Sequence, residues 1–413
     1  MKVLMIGNLY KNGLSLFFKI VFKLINFDNF FKNHGLLTIK SYCKKHTTAF
    51  MKIFDYMPWF FEFKKNYDII AISMVILHND HNRNIKIFQK IRKRSPNSLI
   101  ILGGMYAEVM KEKFIDYVDA ICLGEGEIPF KELLEATDKK AYLEQTPYWY
   151  TKNKTNFSSY IMKDLDLLEP VEFTGKKVVL TITKNCPEKC IYCKFDNSPP
   201  YREKSIEKVK EDIKYYISKG AKGFFFIDDS PFKNEKLWCE TLDFITENKA
   251  TAYVLHNNFI YITENILNSY AGCNKSKSAI ALNIDCIPTE EFFNKTGKPG
   301  TFEIFKEKIR LIQRYKLKVQ TIFIYGFPWE ENIDYSPLIN DFVKEYNIDS
   351  YNLAELELYY GTQLYNEAKK QNLIDDEQLI AVSPWTKIKY KKLVINKETK
   401  RLYKDEYIAN KIL

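Results

Sequence analysis

The run TITKNCPEKCIYCKF sets Cys186, Cys190 and Cys193 in a C-x3-C-x2-C spacing. Three thiolates on one loop can hold three irons of a [4Fe–4S] cubane and leave the fourth iron open to an exogenous ligand. Structural zinc is the alternative, but zinc takes four N or S ligands in a tetrahedron and this loop offers three. The five histidines, His34, His46, His78, His81 and His256, all lie far from it in sequence. The remaining cysteines, Cys43, Cys122, Cys239, Cys273 and Cys286, are single and sit in apolar or helical surroundings, where cysteine usually acts as a small core residue.

The elements that must position these thiols can be read from the apolar pattern. A chain of 413 residues that is 46% hydrophobic has material for two or three packed cores. In the first part, strand-length apolar runs at 2–7, 51–55, 68–75, 98–102 and 119–123 alternate with helical spacing at 35–46 and 82–94. That alternation predicts a doubly wound parallel sheet with ligands beyond the carboxyl ends of its strands. Residues 141–176 turn polar and aromatic with Pro147 and Pro170, and read as a linker between a domain over 1–140 and a second one over 177–370. The second domain restarts the alternation, with strands at 178–183, 223–227, 251–256, 279–285, 319–325 and 351–358. Its helices include one capped by Ser205 and ended by Gly220, and one over 302–315. Six such units predict a partial (β/α)6 barrel with its chemistry at the carboxyl-end mouth. A lysine-rich tail, 371–413, reads as a lid or an edge strand.

The net charge of +10 is spread along the chain with no dense basic block, so a dedicated nucleic-acid arm is not expected. The apolar stretch 13–30 is interrupted by Lys19, Lys23 and Asp28 and is too short and charged to span a membrane. No export signal is read at the N-terminus, and a cytoplasmic location follows as the expectation. There, clustered cysteines mean metal or catalysis rather than disulfides.

CPEKCIYC, with the aromatic Tyr192 just before its third cysteine, resembles the signature of radical S-adenosylmethionine enzymes. The resemblance continues along the second domain. YREKSIEKVKEDIKYYISKGAKGFFFIDDSPF resembles the family's first helix and second strand, ALNID its fourth-strand end, FIYGFPWEE its fifth and ELELYYGTQLY its sixth. It implies that Cys186, Cys190 and Cys193 bind a [4Fe–4S] cluster whose open iron is chelated by S-adenosylmethionine. It further implies that Tyr192, Asp228, Asp229, Asn283, Asp285, Gly326 and Glu330 line that cofactor. His256 and Tyr325, at strand ends, are then the candidates for contact with substrate, and an electron donor of flavodoxin or ferredoxin type is required.

HGLLTIKSYCKKH, YDIIAISMVI, SLIILGGMYAEV, DAICLGEGEIPFKELL and DLDLLEPVEF resemble the cobalamin-binding domain that precedes the barrel in a subgroup of these enzymes. By that resemblance Ser73, His78, Gly103, Gly104, Gly124, Glu125 and Gly126 face the corrin, the glycines letting backbone approach it closely. The Asp-x-His-x-x-Gly motif that supplies a histidine below cobalt is absent; Asp80-His81-Asn82 is its nearest approach. The implied activity is methyl transfer to an unactivated carbon of a small molecule or peptide, with the substrate at the barrel mouth between the domains. Two alternatives stay open: oxidation, cyclisation or rearrangement without methyl transfer, and a non-catalytic metal-stabilised module that binds RNA or protein.

Overall fold

The computed structural model describes residues 1–7, 33–54, 66–74, 81–173, 175–193, 199–254, 257–274, 279–330, 333–374, 380–382 and 384–385. They form two compact units, Met1–Gly175 and Lys176–Leu413.

The first unit is built on strands β1 (Lys2–Ile6), β2 (Phe50–Phe54), β3 (Ile69–Ser73), β4 (Leu99–Gly103), β5 (Ala120–Cys122) and β6 (Trp149–Tyr150). They form one sheet in the order β2-β1-β3-β4-β5-β6. Pairing is parallel up to β5, and β6 adds antiparallel. The continuous apolar runs of β1 and β3 are buried, as a sheet covered on both faces requires. Helix α1 (His34–His46) begins where Asn33 accepts a 3.0 Å hydrogen bond from the Leu36 amide, and its last turn carries Lys44 and Lys45, cations that suit the negative end of a helix. Leu36 and Cys43 of α1 share a core with Met5, Ile69, Ile101 and Trp149. Helix α2 (His81–Arg94) follows β3.

The expected linker is part of this unit. Residues Lys139–Gln145 form a helix, β6 extends the sheet, and the division falls at Gly175 instead of residue 140. The strand is two residues long, too short to show a period, while the fully buried indole of Trp149 supplies the packing that holds it there.

In the second unit six parallel strands form two three-stranded sheets, β11-β10-β7 and β12-β13-β14. They are β7 (Lys177–Leu180), β10 (Gly223–Phe226), β11 (Thr251–Val254), β12 (Ala279–Ala281), β13 (Lys318–Tyr325) and β14 (Ser350–Glu355). Helices α3 (Ile206–Ser218), α4 (Glu235–Glu247), α5 (Glu264–Asn274) and α6 (Phe302–Arg314) separate them, giving the expected partial barrel. Ser205 caps α3, accepting from the Lys208 amide at 3.2 Å. The first barrel strand is shorter than expected: it stops at Leu180, and Thr183–Lys184 (β8) pairs antiparallel with Arg202–Glu203 (β9) to make a small hairpin across the cysteine loop. The run 351–358 likewise divides into β14 and β15 (Glu357–Tyr359), and β15 pairs antiparallel with β16 (Ile380–Val382) from the tail, as an edge strand there would. Among the described residues no helix is long and apolar enough to cross a membrane.

Candidate active site

The carboxyl ends of the barrel strands carry the residues on which the sequence reading converged. After β10 comes Asp228, only 2% exposed. Its Oδ1 accepts from the Ile182 amide at 2.9 Å, the Thr183 amide, and the Thr183 hydroxyl at 2.8 Å. This side chain takes the amides that would otherwise continue β7, which is why that strand breaks before the cysteine loop. Asp229 accepts from the Asn185 amide at 3.0 Å and so fixes the residue before Cys186, whose backbone is left-handed (φ 69°). The Asp228–Asp229 turn is anchored from behind by Trp238, whose ring stands edge-on to Phe226 and Phe232, each at 5.1 Å.

The cysteine loop is tied to two further strand ends and to the residue that ends the helix Glu290–Lys295. The Ile191 amide donates to the Thr296 carbonyl at 3.1 Å, and the Cys193 amide to the Cys190 carbonyl at 3.0 Å. The Tyr192 hydroxyl donates to Asp285 at 3.0 Å, and its ring meets Phe327 edge-on at 5.8 Å. Phe327 in turn stacks on Trp329 at 4.8 Å. Cys190 is buried, and Cys186 and Cys193 are half-buried. Burial pushes the Cys190 thiol up to about 12 and raises Cys186 as well, so a metal must displace the proton to bind either one.

Among the described residues no three His, Cys, Asp or Glu side chains gather around one point as a single ion would require. A cubane makes a different demand. Each thiolate ligates its own iron, so the ligands stand farther apart than three sharing one zinc. A loop of three thiols, pinned by main-chain bonds on both sides, fits the cluster.

The second fit concerns buried polar atoms. Asp228 Oδ2, Asn257 Oδ1, Asn283 Oδ1 and Glu330 Oε1 are buried with no hydrogen-bond partner among the described residues. They follow four successive strands, β10 to β13. In three of these side chains the other polar atom is held: Asp228 Oδ1 by the β7 loop, Asn257 Nδ2 by the Ala281 carbonyl, to which it donates at 2.9 Å, and Glu330 Oε2 by the Gly326 and Phe327 amides, from which it accepts at 2.7 and 3.2 Å. Native proteins rarely leave such atoms unsatisfied without a polar ligand or ordered water to meet them. Acceptors at four successive strand ends suit a ligand carrying an ammonium group and ribose hydroxyls, and S-adenosylmethionine has both.

Burial pushes the carboxyls of Asp228 and Glu330 up to about 7 each. A carboxyl raised in the folded state above an unfolded value of about 4 stabilises the fold below that value, and the contribution is lost as pH climbs through its folded pKa. Thermal melts of ligand-free wild type and Asp228→Asn should therefore diverge in the variant's favour between about pH 4 and about pH 7. A gap independent of pH would remove the assignment.

Tyr325 is the last residue of β13 and is buried, with its ring 6.0 Å from Tyr335. His256 and His78 lie outside the described residues. One residue of the site escaped the sequence reading: Lys298, whose side chain is 6% exposed and whose Nζ forms an ion pair with Asp285. Its only signal was a lysine inside the turn TGKPG.

In the first unit the sheet order reverses between β1 and β3, the point where doubly wound folds bind ligands. There Asn33 Nδ2 donates to the Gly7 carbonyl at 3.4 Å and to Ser73 Oγ at 3.1 Å. The glycines expected against a corrin have protein reasons of their own. A Cβ on Gly104 (φ 92°) would lie 2.8 Å from the Met74 carbonyl oxygen, and one on Gly124 (φ 78°) 2.2 Å from that of Tyr160. Gly103 lies at the end of β4, and Gly126 precedes the helix Glu127–Glu135. Glu125 accepts from the Met162 amide at 2.7 Å.

Comparison with known proteins places these observations. Residues 180–340 match the Radical SAM superfamily. Bacteriochlorophyllide d C-8(2)-methyltransferase of Chlorobaculum tepidum is 23% identical over 361 residues, which cover 81% of this chain and 74% of that protein. The cobalamin-dependent S-adenosylmethionine radical enzyme OxsB, solved with aqua-cobalamin bound, superposes with a TM-score of 0.67 at 15% identity over 92% of this chain and 64% of that one. The radical S-adenosylmethionine methyltransferase TsrM from Kitasatospora setae, solved with cobalamin and a [4Fe–4S] cluster, gives 0.65 at 12% identity over 90% of this chain and 78% of that one. The cysteine loop and the four strand ends around it lie within the matched residues, which form a Radical SAM domain, and the chain has the fold of the cobalamin-dependent enzymes OxsB and TsrM.

Proposed function

We propose that the protein is a cobalamin-dependent radical S-adenosylmethionine methyltransferase acting on an unactivated carbon of a small molecule or peptide. The observation that carries this reading is the set of four buried polar atoms at the ends of β10 to β13, beside a loop of three thiols. When bound, the cluster and S-adenosylmethionine supply a 5′-deoxyadenosyl radical and cobalamin supplies the methyl group.

The chain's own part is to bind and orient. Cys186, Cys190 and Cys193 hold the cluster. Asp228 offers Oδ2 to the methionyl ammonium while its other oxygen stays on the β7 loop. Asn257 and Asn283 offer amide oxygens to hydroxyl donors, and Glu330, held by the Gly326 and Phe327 amides, fixes the turn after β13. Tyr325, at the end of β13, is a substrate contact, as is His256, which follows β11 in sequence, while Ser73 and Glu125 belong to the unit that takes cobalamin. Surrounding buried aromatics, Phe327 among them, keep water from the reacting atoms. An external one-electron donor of flavodoxin or ferredoxin type completes the system.

The test is anaerobic reconstitution of the full chain with iron, sulfide and hydroxocobalamin, followed by dithionite and methyl-labelled S-adenosylmethionine. About four irons per chain, a bound corrin band, formation of 5′-deoxyadenosine and label in the corrin fraction are expected. Iron without corrin would end the methyl-transfer reading and leave oxidation, cyclisation or rearrangement. Zinc without iron would end both.

A further inference from the structure

Lys298 is enclosed in the second unit with its ammonium on Asp285 Oδ2, and the same oxygen accepts the Tyr192 hydroxyl at 3.0 Å. The Asp285 side chain is itself only 17% exposed. Asp285 has a left-handed backbone (φ 58°), a conformation that a non-glycine residue keeps only where its surroundings impose it. The turn leading to Lys298 is packed on the cysteine loop. Thr296 accepts from the Ile191 amide at 3.1 Å, and a Cβ on Gly297 would come within 3.3 Å of both the Lys189 carbonyl oxygen and Ile191 Cγ2. Cys190 and Lys298 feel each other's charge: after burial, Lys298 is the foremost influence on the Cys190 thiol and opposes its rise. Burial pulls the Lys298 ammonium down, but Asp285 and then Cys190 outweigh it, so the cation is retained.

We propose that Lys298 and Asp285 form a fixed pair of opposite charges, each offsetting the shift that the other alone would impose on the reduction potential of the cluster held by Cys186, Cys190 and Cys193. This rests on the cluster reading above. The reduced cluster carries one more negative charge than the oxidised one, and net charge and hydrogen bonding around a cluster govern its potential. In a water-poor setting such interactions are little screened. Lys298 therefore favours the reduced state and raises the potential; Asp285 favours the oxidised state and lowers it. Held together, the two nearly cancel. Lys298 acts here as a positioning residue, through the field it places on the cluster, in the one-electron step fed by the external donor.

The test is an EPR-monitored redox titration of the reconstituted full chain without S-adenosylmethionine, with iron and sulfide assayed in every sample. Lys298→Met leaves Asp285 uncompensated, so the midpoint potential should fall. Asp285→Asn leaves Lys298 uncompensated, so it should rise. The double variant should return close to wild type. A purely structural role would lose iron in both single variants or shift both the same way, and either pattern overturns the proposal, as does an unchanged potential in all of them. Should Lys298→Met fail to hold its cluster, Asp285→Asn decides alone: a rise supports the charge pair, and no change or a fall overturns it. A wild-type chain that takes up no four-iron cluster would instead refute the cluster reading, and this inference with it.

Discussion

Replacing Cys186, Cys190 or Cys193 singly with alanine should abolish the cluster and reduce S-adenosylmethionine cleavage to background. Three thiolates are the whole protein-derived ligand set of a cubane with an open iron, so no fourth protein ligand is left to compensate. The second unit should still fold in each variant, because the loop is held by bonds that do not involve the thiols. These run from the Ile182 and Thr183 amides to Asp228, from Tyr192 to Asp285, and from the Ile191 amide to Thr296. Circular dichroism should be unchanged while iron and the visible charge-transfer bands disappear. Cys43→Ala serves as the control: that cysteine is fully buried in the core of the first unit, and its loss should cost stability without costing iron. A loop variant that kept a full complement of iron and its spectrum would show that the cluster is held elsewhere.

Gly124→Ala is the change expected to damage the first unit most. The left-handed backbone alone costs an L-residue roughly 1–2 kcal/mol. The added carbon would also lie 2.2 Å from the Tyr160 carbonyl oxygen and 2.8 Å from its nitrogen, inside any allowed contact. Relief requires separating two segments that are joined on both sides of Gly124: the Tyr160 amide donates to the Leu123 carbonyl, and the Glu125 amide to the Tyr160 carbonyl, each at 2.9 Å. A total of about 3–5 kcal/mol is expected. Gly220 isolates the backbone part, since it has φ 97° with nothing within 4 Å of an added Cβ. Gly220→Ala should lose about 1–2 kcal/mol only. Thermal melts followed by near-ultraviolet circular dichroism would compare the two. Equal losses would mean that the contact with Tyr160 does not govern the cost. In the reconstituted Gly124→Ala protein, iron should survive while corrin uptake fails.

The sequence made some of this legible for definite physical reasons. Parallel strands buried on both faces must be apolar without interruption, so β1, β3 and β4 stand out as runs. The thiol loop stands out because cluster ligation fixes residue type and spacing together. What escaped has equally definite reasons. A two-residue strand such as β6 shows no period, and its aromatic, proline-bearing context resembles a connector. Lys298 is one of 62 basic residues, and only the fold brings it to Asp285, thirteen positions earlier in the chain. The need for glycine at 104 and 124 could be read, but its cause could not: the close neighbours are the protein's own carbonyls at Met74 and Tyr160. The early end of β7 was hidden because it depends on a carboxylate 45 residues downstream of Thr183.

The antiparallel strand β6 has a consequence for solubility. Its two residues lie over the outer side of β5, pairing Tyr150 with Ile121 and Trp149 with Cys122, and Trp149 is wholly buried. An uncovered flank of a parallel sheet is a template on which other chains can pair and aggregate. A fragment cut at residue 140 would expose that flank together with the pocket emptied by the indole, whereas one cut at Gly175 keeps its own stopper.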